Sequence, residues 1–203
     1  MQGKDLSGIH IEGHIKIYDP KTQEVFINKR NAIHYENMSV ALAESIANAG
    51  QGFIYEIAFG NGGTTVDPTG IITYLTPNST GTNATLYSET YSKVVDDRSV
   101  TNLDPIRNKI ETRHVTGTNY TDVFVTCLLD YGEPQGQDAF DNTTNNNSDF
   151  VFDELGLKSY STTGNSKLLT HVIFHPVQKS LNRLIQVDYT VRIQSLTGLS
   201  EVA

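Results

Sequence analysis

The sequence contains few of the residues that cross-link small proteins or act as reactive nucleophiles. Its 203 residues include one cysteine and no tryptophan. A single thiol excludes an internal disulfide, but a chain of this length buries roughly 70% of its unfolded surface and needs no such cross-link. Cys127 lies in the apolar segment 123–129 without an adjacent cation, so we expect a buried and unreactive thiol.

A basic surface is also missing. Lysine and arginine number 15 against 23 aspartates and glutamates, which gives a formal net charge of −8. Proteins that bind nucleic acids or anionic membranes through their surface carry the opposite excess, so neither a membrane nor a specific nucleic acid is an expected partner. No run of about 18 apolar residues is present, so we expect no membrane helix. Residues 1–6 show no apolar secretory segment, so we expect no signal peptide.

What the chain has in abundance favours strands and turns. Glycine, asparagine and threonine are frequent, and charged residues make up only 19%. From Ile9 to Ile17, isoleucines alternate with polar or small residues, which is the period of a strand with one buried face. Residues 19–22 have the composition of a turn. Residues 24–28 return as a second strand, which predicts an N-terminal hairpin.

Further strand-like segments follow, separated by turns. They lie at residues 53–59, 71–75, 85–95, 109–116, 122–129, 150–157, 168–174 and 184–193, and the last alternates most clearly. Two polar segments, near 96–108 and 130–149, are predicted to be long loops, which in compact domains commonly carry function. No internal repeat or linker is evident, so residues 1–203 are expected to form a single domain.

One segment has helical rather than strand periodicity. Met38, Leu42 and Ile46 recur at the spacing of one helix face. Asn37 is the expected N-cap and Gly50 the expected stop. The narrow stripe of small residues favours close packing on a sheet over cofactor binding. The sequence therefore predicts a mainly β fold, an antiparallel β-sandwich-like domain with one short α-helix at about residues 37–49.

A glycine-rich segment, residues 60–64, follows the predicted strand 53–59. Such a loop binds phosphate where a helix N-terminus comes next, but residues 65–70 have the composition of a further turn. We therefore expect a tight turn with glycines at positive φ rather than a nucleotide site.

Two pairs of histidines are candidates for a metal site. His10 and His14 can share a strand face, as can His171 and His175. A metal site needs a third ligand and supporting hydrogen bonds, and no metal-binding motif or cysteine pair is present. We therefore expect no metal and no cofactor.

Acidic clusters occur at Asp96-Asp97 and around Asp149, Asp153 and Glu154. A carboxylate pair can cleave glycosidic bonds, so a glycosidase that uses Asp153 and Glu154 is the enzyme alternative. A solvated loop or a contact to a neighbouring subunit is the favoured interpretation of these acidic residues. No nucleophile motif or Walker motif is present. We therefore expect no enzyme and predict no catalytic, cofactor-binding or metal-binding residues.

Three pieces of the chain resemble, in order and spacing, a group of small virion proteins and tail-fibre attachment domains of tailed bacteriophages. The first is Asn31-Ala32-Ile33 leading into the predicted helix, and the second is the strand and glycine turn at 57–63. The third is 152–157, with an E-x-G-L turn, followed by 168–179, with an F-x-P strand end and a lysine, and by the closing strand. Residues 77–147 lie outside the resemblance.

This resemblance implies a β-sandwich-like subunit that works in a ring or a fibre collar and carries no catalytic residues. It predicts a non-enzymatic virion structural protein, made in the bacterial host cytoplasm, that assembles as an oligomer in the neck, collar, tail or baseplate region. The expected partners are copies of itself and adjoining virion proteins, such as the portal or neck, tail tube, baseplate or major capsid protein. We expect the contacts to come from the loop 130–149 and the N-terminal arm 1–8.

Two alternatives remain open. The first is a capsid decoration (cement) protein of the same particle, which differs in symmetry and copy number. The second is a carbohydrate-binding adsorption module, for which the ten tyrosines would supply stacking faces.

Overall fold

In the computed structural model, residues 6–81, 84–135 and 150–199 are described. They form eleven β-strands and one α-helix. In chain order these are β1 (Leu6–Tyr18), β2 (Val25–Ile33), α1 (Tyr35–Ile46), β3 (Ile54–Gly60), β4 (Thr64–Val66), β5 (Ile72–Tyr74), β6 (Glu89–Val94), β7 (Lys109–His114), β8 (Tyr120–Leu129), β9 (Val151–Ser159), β10 (Thr170–Gln178) and β11 (Ile185–Leu199).

Nine of the strands form one antiparallel sheet in the order β6-β3-β9-β10-β2-β1-β11-β8-β7, and β4 pairs with β5 in a separate hairpin. At the junction of β10 with β2 only two residue pairs join, Thr170 with Ile33 and His171 with Ala32. The sheet is curled, and the two halves that meet at this short junction enclose a common core. The prediction of a mainly β, antiparallel, sandwich-like fold with one helix is confirmed for the described residues.

The core is built from alternating side chains of the long strands. β11 contributes Ile185, Val187, Tyr189 and Val191, each at most 2% exposed. This confirms the alternation read from the sequence. β11 lies between β1 and β8, and its register places Val187 opposite Ile17 on one side and Cys127 on the other. Cys127 is fully buried, as predicted, and burial raises the pKa of its thiol to about 12.

The predicted N-terminal hairpin is confirmed. β1 pairs antiparallel with β2, and β1 also pairs with β11 along most of its length. In the connecting turn, Asp19 Oδ1 accepts the backbone N–H groups of Lys21 at 2.7 Å and Thr22 at 3.2 Å. The short polar side chain thereby satisfies two turn amides, which is why aspartate suits this position.

The helix begins and ends earlier than the predicted range 37–49. Its N-cap is His34, whose Nδ1 accepts the backbone N–H of Asn37 at 3.2 Å. Asn37, the predicted cap, is fully buried in the first turn, where its side-chain amide donates to the Leu168 carbonyl oxygen at 2.9 Å. A tertiary contact thus decides the role of this asparagine. The helix also ends four residues before Gly50, the predicted stop.

Three predictions about strand limits are wrong. β4 lies where the sequence indicated only a turn. β10 does not end at Pro176 but continues to Gln178. The proline, which cannot donate to the ladder, falls inside the register shift between Ile173 and Val177. The E-x-G-L segment, 154–157, is the interior of β9 and not a turn.

The two predicted long loops differ in how much of them the structure describes. The loop 96–108 is described throughout and connects β6 to β7. The loop 130–149 lies mostly outside the described residues, apart from its first part, where Asp130 pairs with Arg107 at 2.8 Å. Most of the N-terminal arm 1–8 also lies outside the described residues. The partner contacts predicted for these two segments stay predictions.

Gly156 in the middle of β9 offers a test of how closely β9 and β10 pack. A Cβ atom there would lie 2.3 Å from the Thr170 carbonyl oxygen and 2.6 Å from Leu168 Cδ1. Because the carbonyl belongs to the main chain and cannot rotate away, we expect Gly156→Ala to lower the free energy of unfolding by about 1–3 kcal/mol. Urea denaturation measures this loss.

Gly132→Ala is the matched control for this substitution. Nothing lies within 4 Å of the Cβ position at Gly132, so the added methyl group should leave stability unchanged or slightly raised. Equal losses in the two variants would contradict the close approach of β9 and β10.

Candidate functional site

Glu154, in β9, has no solvent exposure and accepts four hydrogen bonds. The backbone N–H groups of Gly62, Tyr87 and Ser88 donate at 3.1, 2.9 and 2.7 Å. His171 Nε2 donates the fourth at 2.9 Å. These donors belong to the loop after β3, the segment before β6, and β10. One carboxylate therefore joins three parts of the chain that are distant in sequence.

The neighbouring carboxylate, Asp153, is 3% exposed and is held in the same way. It accepts the backbone N–H groups of Gly63 and Thr64, each at 2.8 Å, and the Thr64 hydroxyl. We predicted that Asp153 and Glu154 lie in a solvated loop or at a subunit contact. That prediction is wrong, because both side chains are buried and bonded to donors of their own chain.

The glycine-rich segment has a different purpose from the one predicted. None of Gly60, Gly62 and Gly63 is among the residues at positive φ, so the predicted backbone conformation is wrong. A Cβ atom at Gly60 would lie 2.6 Å from Glu154 Oε1, and one at Gly62 would lie 2.7 Å from the Ser88 nitrogen. Glycine is required here because the backbone approaches so closely. The loop uses its amides to bind an anion, as such loops do, but the anions are carboxylates of the chain itself.

The histidines do not form a metal centre in the described parts of the chain. His171 is fully buried, and while Nε2 donates to Glu154, Nδ1 accepts the backbone N–H of Asn78 at 2.8 Å. Both ring nitrogens are therefore occupied in the neutral imidazole. His175 is exposed and contacts the Tyr74 hydroxyl at 3.2 Å, so it lies in a different environment. No group of three or more His, Cys, Asp or Glu side chains is placed to hold a metal ion in the ranges described.

The environments of the two carboxylates shift their pKa values in opposite directions. Burial raises the pKa of Asp153, and hydrogen bonds from Thr64 and Gly63 offset this only in part. Burial also acts to raise the pKa of Glu154, but the hydrogen bonds, above all that from His171, outweigh it and leave the pKa below its usual value. Opposite shifts occur in acid–base pairs. Here, however, both oxygens of Glu154 are bonded to donors of the chain and have no solvent exposure.

Asp153 also lines a cavity of about 500 Å³ beside the β4–β5 hairpin. The other lining side chains include Thr64, Thr65, Asn61 and His175. The carboxylate oxygens are already bonded to three donors, so Asp153 has little capacity left for a substrate. The arrangement fixes the hairpin against β9.

The three pieces that carry the resemblance to phage virion proteins meet at this cluster. Ala32 of the first piece pairs with His171 of the third. Gly62 of the second piece donates to Glu154 of the third. The shared residues are therefore those that hold distant parts of the fold together, which accounts for their order without assigning them any chemistry.

The segment 96–108, which we call the seam loop, joins β6 and β7, the two edge strands of the sheet. Its interior is polar: Asp96, Asn102 and Asn108 are 5%, 8% and 0% exposed. The Asn102 side chain donates to the carbonyl oxygens of Asp96 at 3.2 Å and Asn108 at 2.8 Å, which ties the two ends of the loop together. Asn108 Oδ1 accepts the backbone N–H of Leu128 at 2.9 Å, which ties the loop to β8.

The outer surface of the seam loop is apolar. Val100, Leu103 and Ile106 are 96%, 95% and 82% exposed. The loop thus reverses the usual arrangement, with amides and a carboxylate inside and aliphatic side chains in water. Sequence reasoning predicted the loop but missed this surface. The available signal was that its three aliphatic residues recur every third position.

Aromatic rings on the outer side of β8 are covered by cations. The Arg192 guanidinium lies 4.0 Å from the Tyr120 ring centre, and the Arg113 guanidinium lies 4.5 Å from that of Phe124. Arg192 is itself held by Asp122 at 2.7 Å. A sugar that stacks on these rings must first displace the arginines.

Glu154→Gln should destabilise the fold without removing much volume. The three backbone amides and His171 lose a charged acceptor, and the new amide group points its own hydrogens at donors. We expect a loss of at least about 2 kcal/mol in the free energy of unfolding, measured by urea denaturation. Glu24→Gln, at an exposed turn position, is the control of equal charge change and should be neutral.

The two carboxylates should respond to acid in opposite ways. The folded-state pKa of Glu154 lies below its unfolded value of 4.5, so its stabilisation is lost as the pH falls through the folded-state pKa. The folded-state pKa of Asp153 lies above its unfolded value of 3.8, so protonation of Asp153 favours the folded state.

Unfolding free energies measured from about pH 7 to about pH 3.5 test this sign. The advantage of the wild type over Glu154→Gln should shrink as the pH falls. The wild type should gain stability relative to Asp153→Asn over the same range. Two differences that change in the same direction would show that one of the environments is wrongly assigned.

Comparisons with protein-family models, curated protein sequences and solved structures found no significant match to this chain. Within the described ranges, no helix is long and apolar enough to cross a membrane. The function is therefore inferred from the carboxylate cluster, the seam loop and the resemblance of the motifs.

Proposed function

We propose that this chain is a non-enzymatic structural subunit of a tailed-phage virion, located in the neck, collar, tail or baseplate region. It works by assembly, binding copies of itself and adjoining virion proteins. The ordered motif resemblance supports the phage assignment. The seam loop supports the assembly role, and it is the observation that carries the proposal.

Three aliphatic side chains on one loop are more than an ordinary surface requires. Single exposed apolar residues are common in soluble proteins. Here Val100, Leu103 and Ile106 are all more than four-fifths exposed on a loop whose polar residues are buried. Burying three such side chains is worth roughly 5–9 kcal/mol. An interface that covers this loop would gain that stabilisation.

The carboxylate cluster supports the non-enzymatic part of the proposal. The acidic pair that a glycosidase would need is occupied by backbone amides, His171 and the Thr64 hydroxyl. Asp153 and Glu154 stabilise the fold in which the seam loop is displayed.

The triple variant Val100→Ser, Leu103→Ser, Ile106→Ser tests the assembly role. Because the three side chains contact mainly water, the free energy of unfolding should change by no more than about 0.5 kcal/mol per substitution. Incorporation into particles should be lost. The measurement is quantitative mass spectrometry of purified particles from a phage that lacks its own copy and receives the variant from a plasmid.

Ile46→Ser is the matched control, since Ile46 is 82% exposed on the helix and lies away from the seam loop in sequence. This variant should be incorporated like the wild type. Normal incorporation of the triple variant would rule out the seam loop as the contact, and absence of the wild-type chain from particles would rule out the virion role. Copy number separates a tail-axis component, at about a dozen per particle, from a capsid decoration protein present in far larger numbers.

A further inference from the structure

We infer that the seam loop is a two-fold self-association surface, on which two copies of the chain pack their loops antiparallel with Leu103 at the symmetry axis. This inference rests on the proposed function in one respect, that the seam loop is a protein contact. It adds the identity of the partner, a second copy of the chain, and the geometry of the contact.

The first support is the shape of the loop. It is a series of short turns closed by backbone bonds from Ser99 to Asp96, from Asn102 to Ser99 and from Asn108 to Asp104, at 3.1, 3.1 and 2.9 Å. Successive tight turns return every third side chain to the same side. The apolar residues recur with this spacing, so they form a single row.

The row is symmetric about its middle. Val100 and Ile106 each lie three positions from Leu103. When two rows pack antiparallel, Val100 of one copy faces Ile106 of the other, and Leu103 faces Leu103. A two-fold contact uses the same surface on both copies, and this row is complementary to itself without any change of conformation.

Charge selects the antiparallel arrangement. The same alignment places Asp97, six positions before Leu103, opposite Lys109, six positions after it. Asp97 is exposed and forms no ion pair within the described residues, and the Lys109 side chain is 38% exposed. Each dimer would therefore gain the Asp97–Lys109 pairing twice. A parallel alignment would instead place like charges opposite each other, which disfavours it.

The loop is also held rigidly enough to bind without ordering. Arg107 bonds to Asp104 and, at 2.8 Å, to Asp130. The Tyr55 hydroxyl contacts the Thr101 hydroxyl at 2.8 Å. Because these contacts fix both halves of the loop in the single chain, association does not have to pay for loop ordering.

Cysteine cross-linking tests the symmetry directly. In a two-fold contact only the residue at the axis meets its own copy, so Leu103→Cys should form a disulfide-linked dimer under a mild oxidant. Val100→Cys alone and Ile106→Cys alone should not, but an equimolar mixture of these two variants should cross-link. The native Cys127 is fully buried and should give no background.

Ile46→Cys is the reference for random collision, since its side chain is 82% exposed. We expect Leu103→Cys to dimerise at least about tenfold faster than this reference. Equal rates for Leu103→Cys and Ile46→Cys would overturn the inference. So would faster cross-linking of Val100→Cys with itself than with Ile106→Cys, because that result indicates a different alignment.

A charge exchange gives a second, non-covalent readout. Asp97→Lys and Lys109→Asp should each weaken dimerisation about two- to tenfold, because like charges then meet twice per dimer. The double variant should restore the wild-type dissociation constant, measured by sedimentation equilibrium. A double variant weaker than both single variants would contradict the antiparallel register.

These outcomes separate the inference from the proposed function. A chain that cross-links at Leu103 but is absent from phage particles upholds the self-association and refutes the virion role. A chain that enters particles through the seam loop but shows no cross-link at Leu103 refutes the self-association, because the loop then binds another virion protein.

Discussion

The fold depends on one buried carboxylate. Glu154 has no solvent exposure, and its four donors come from the loop after β3, the segment before β6, and β10. A buried charge is tolerated only when its hydrogen-bonding capacity is filled, and here the donors lie 17 to 92 residues away along the chain. The carboxylate therefore requires the β3, β9 and β10 regions to assemble together. Asp153 adds the β4–β5 hairpin to the same assembly through Gly63 and Thr64.

The seam loop uses the same physical rule with the opposite arrangement of surfaces. Asn102 and Asn108 satisfy the backbone groups where the chain crosses from one sheet edge to the other. Because polar side chains fill the interior of this loop, its aliphatic residues are left outside. Val100, Leu103 and Ile106 contribute nothing to the core of the single chain. Their exposure is best explained by a contact that forms between molecules.

The predictability of each element follows the range of its interactions. The alternation of β11 around Tyr189 was readable from the sequence, because a period of two depends only on neighbouring residues. The cap of the helix was misassigned because Asn37 bonds to Leu168, 131 residues away. The glycine turn was located correctly but explained wrongly, since the need for Gly62 comes from Ser88 and Glu154 and not from its own φ. The burial of Asp153 was equally invisible, because its donors lie about 90 residues earlier in the chain. The exposure of Leu103 depends on which way an irregular loop turns, and no periodic rule covers that.

The central claim is that this chain is an assembling subunit rather than a solitary protein. The most direct test is the mass of the purified wild-type protein in solution, measured by sedimentation equilibrium over a wide range of concentration. The account predicts a mass that rises with concentration from that of one 22.4 kDa chain to that of a dimer or a larger closed assembly. A mass that stays at one chain at every concentration, with the seam loop intact, would contradict it.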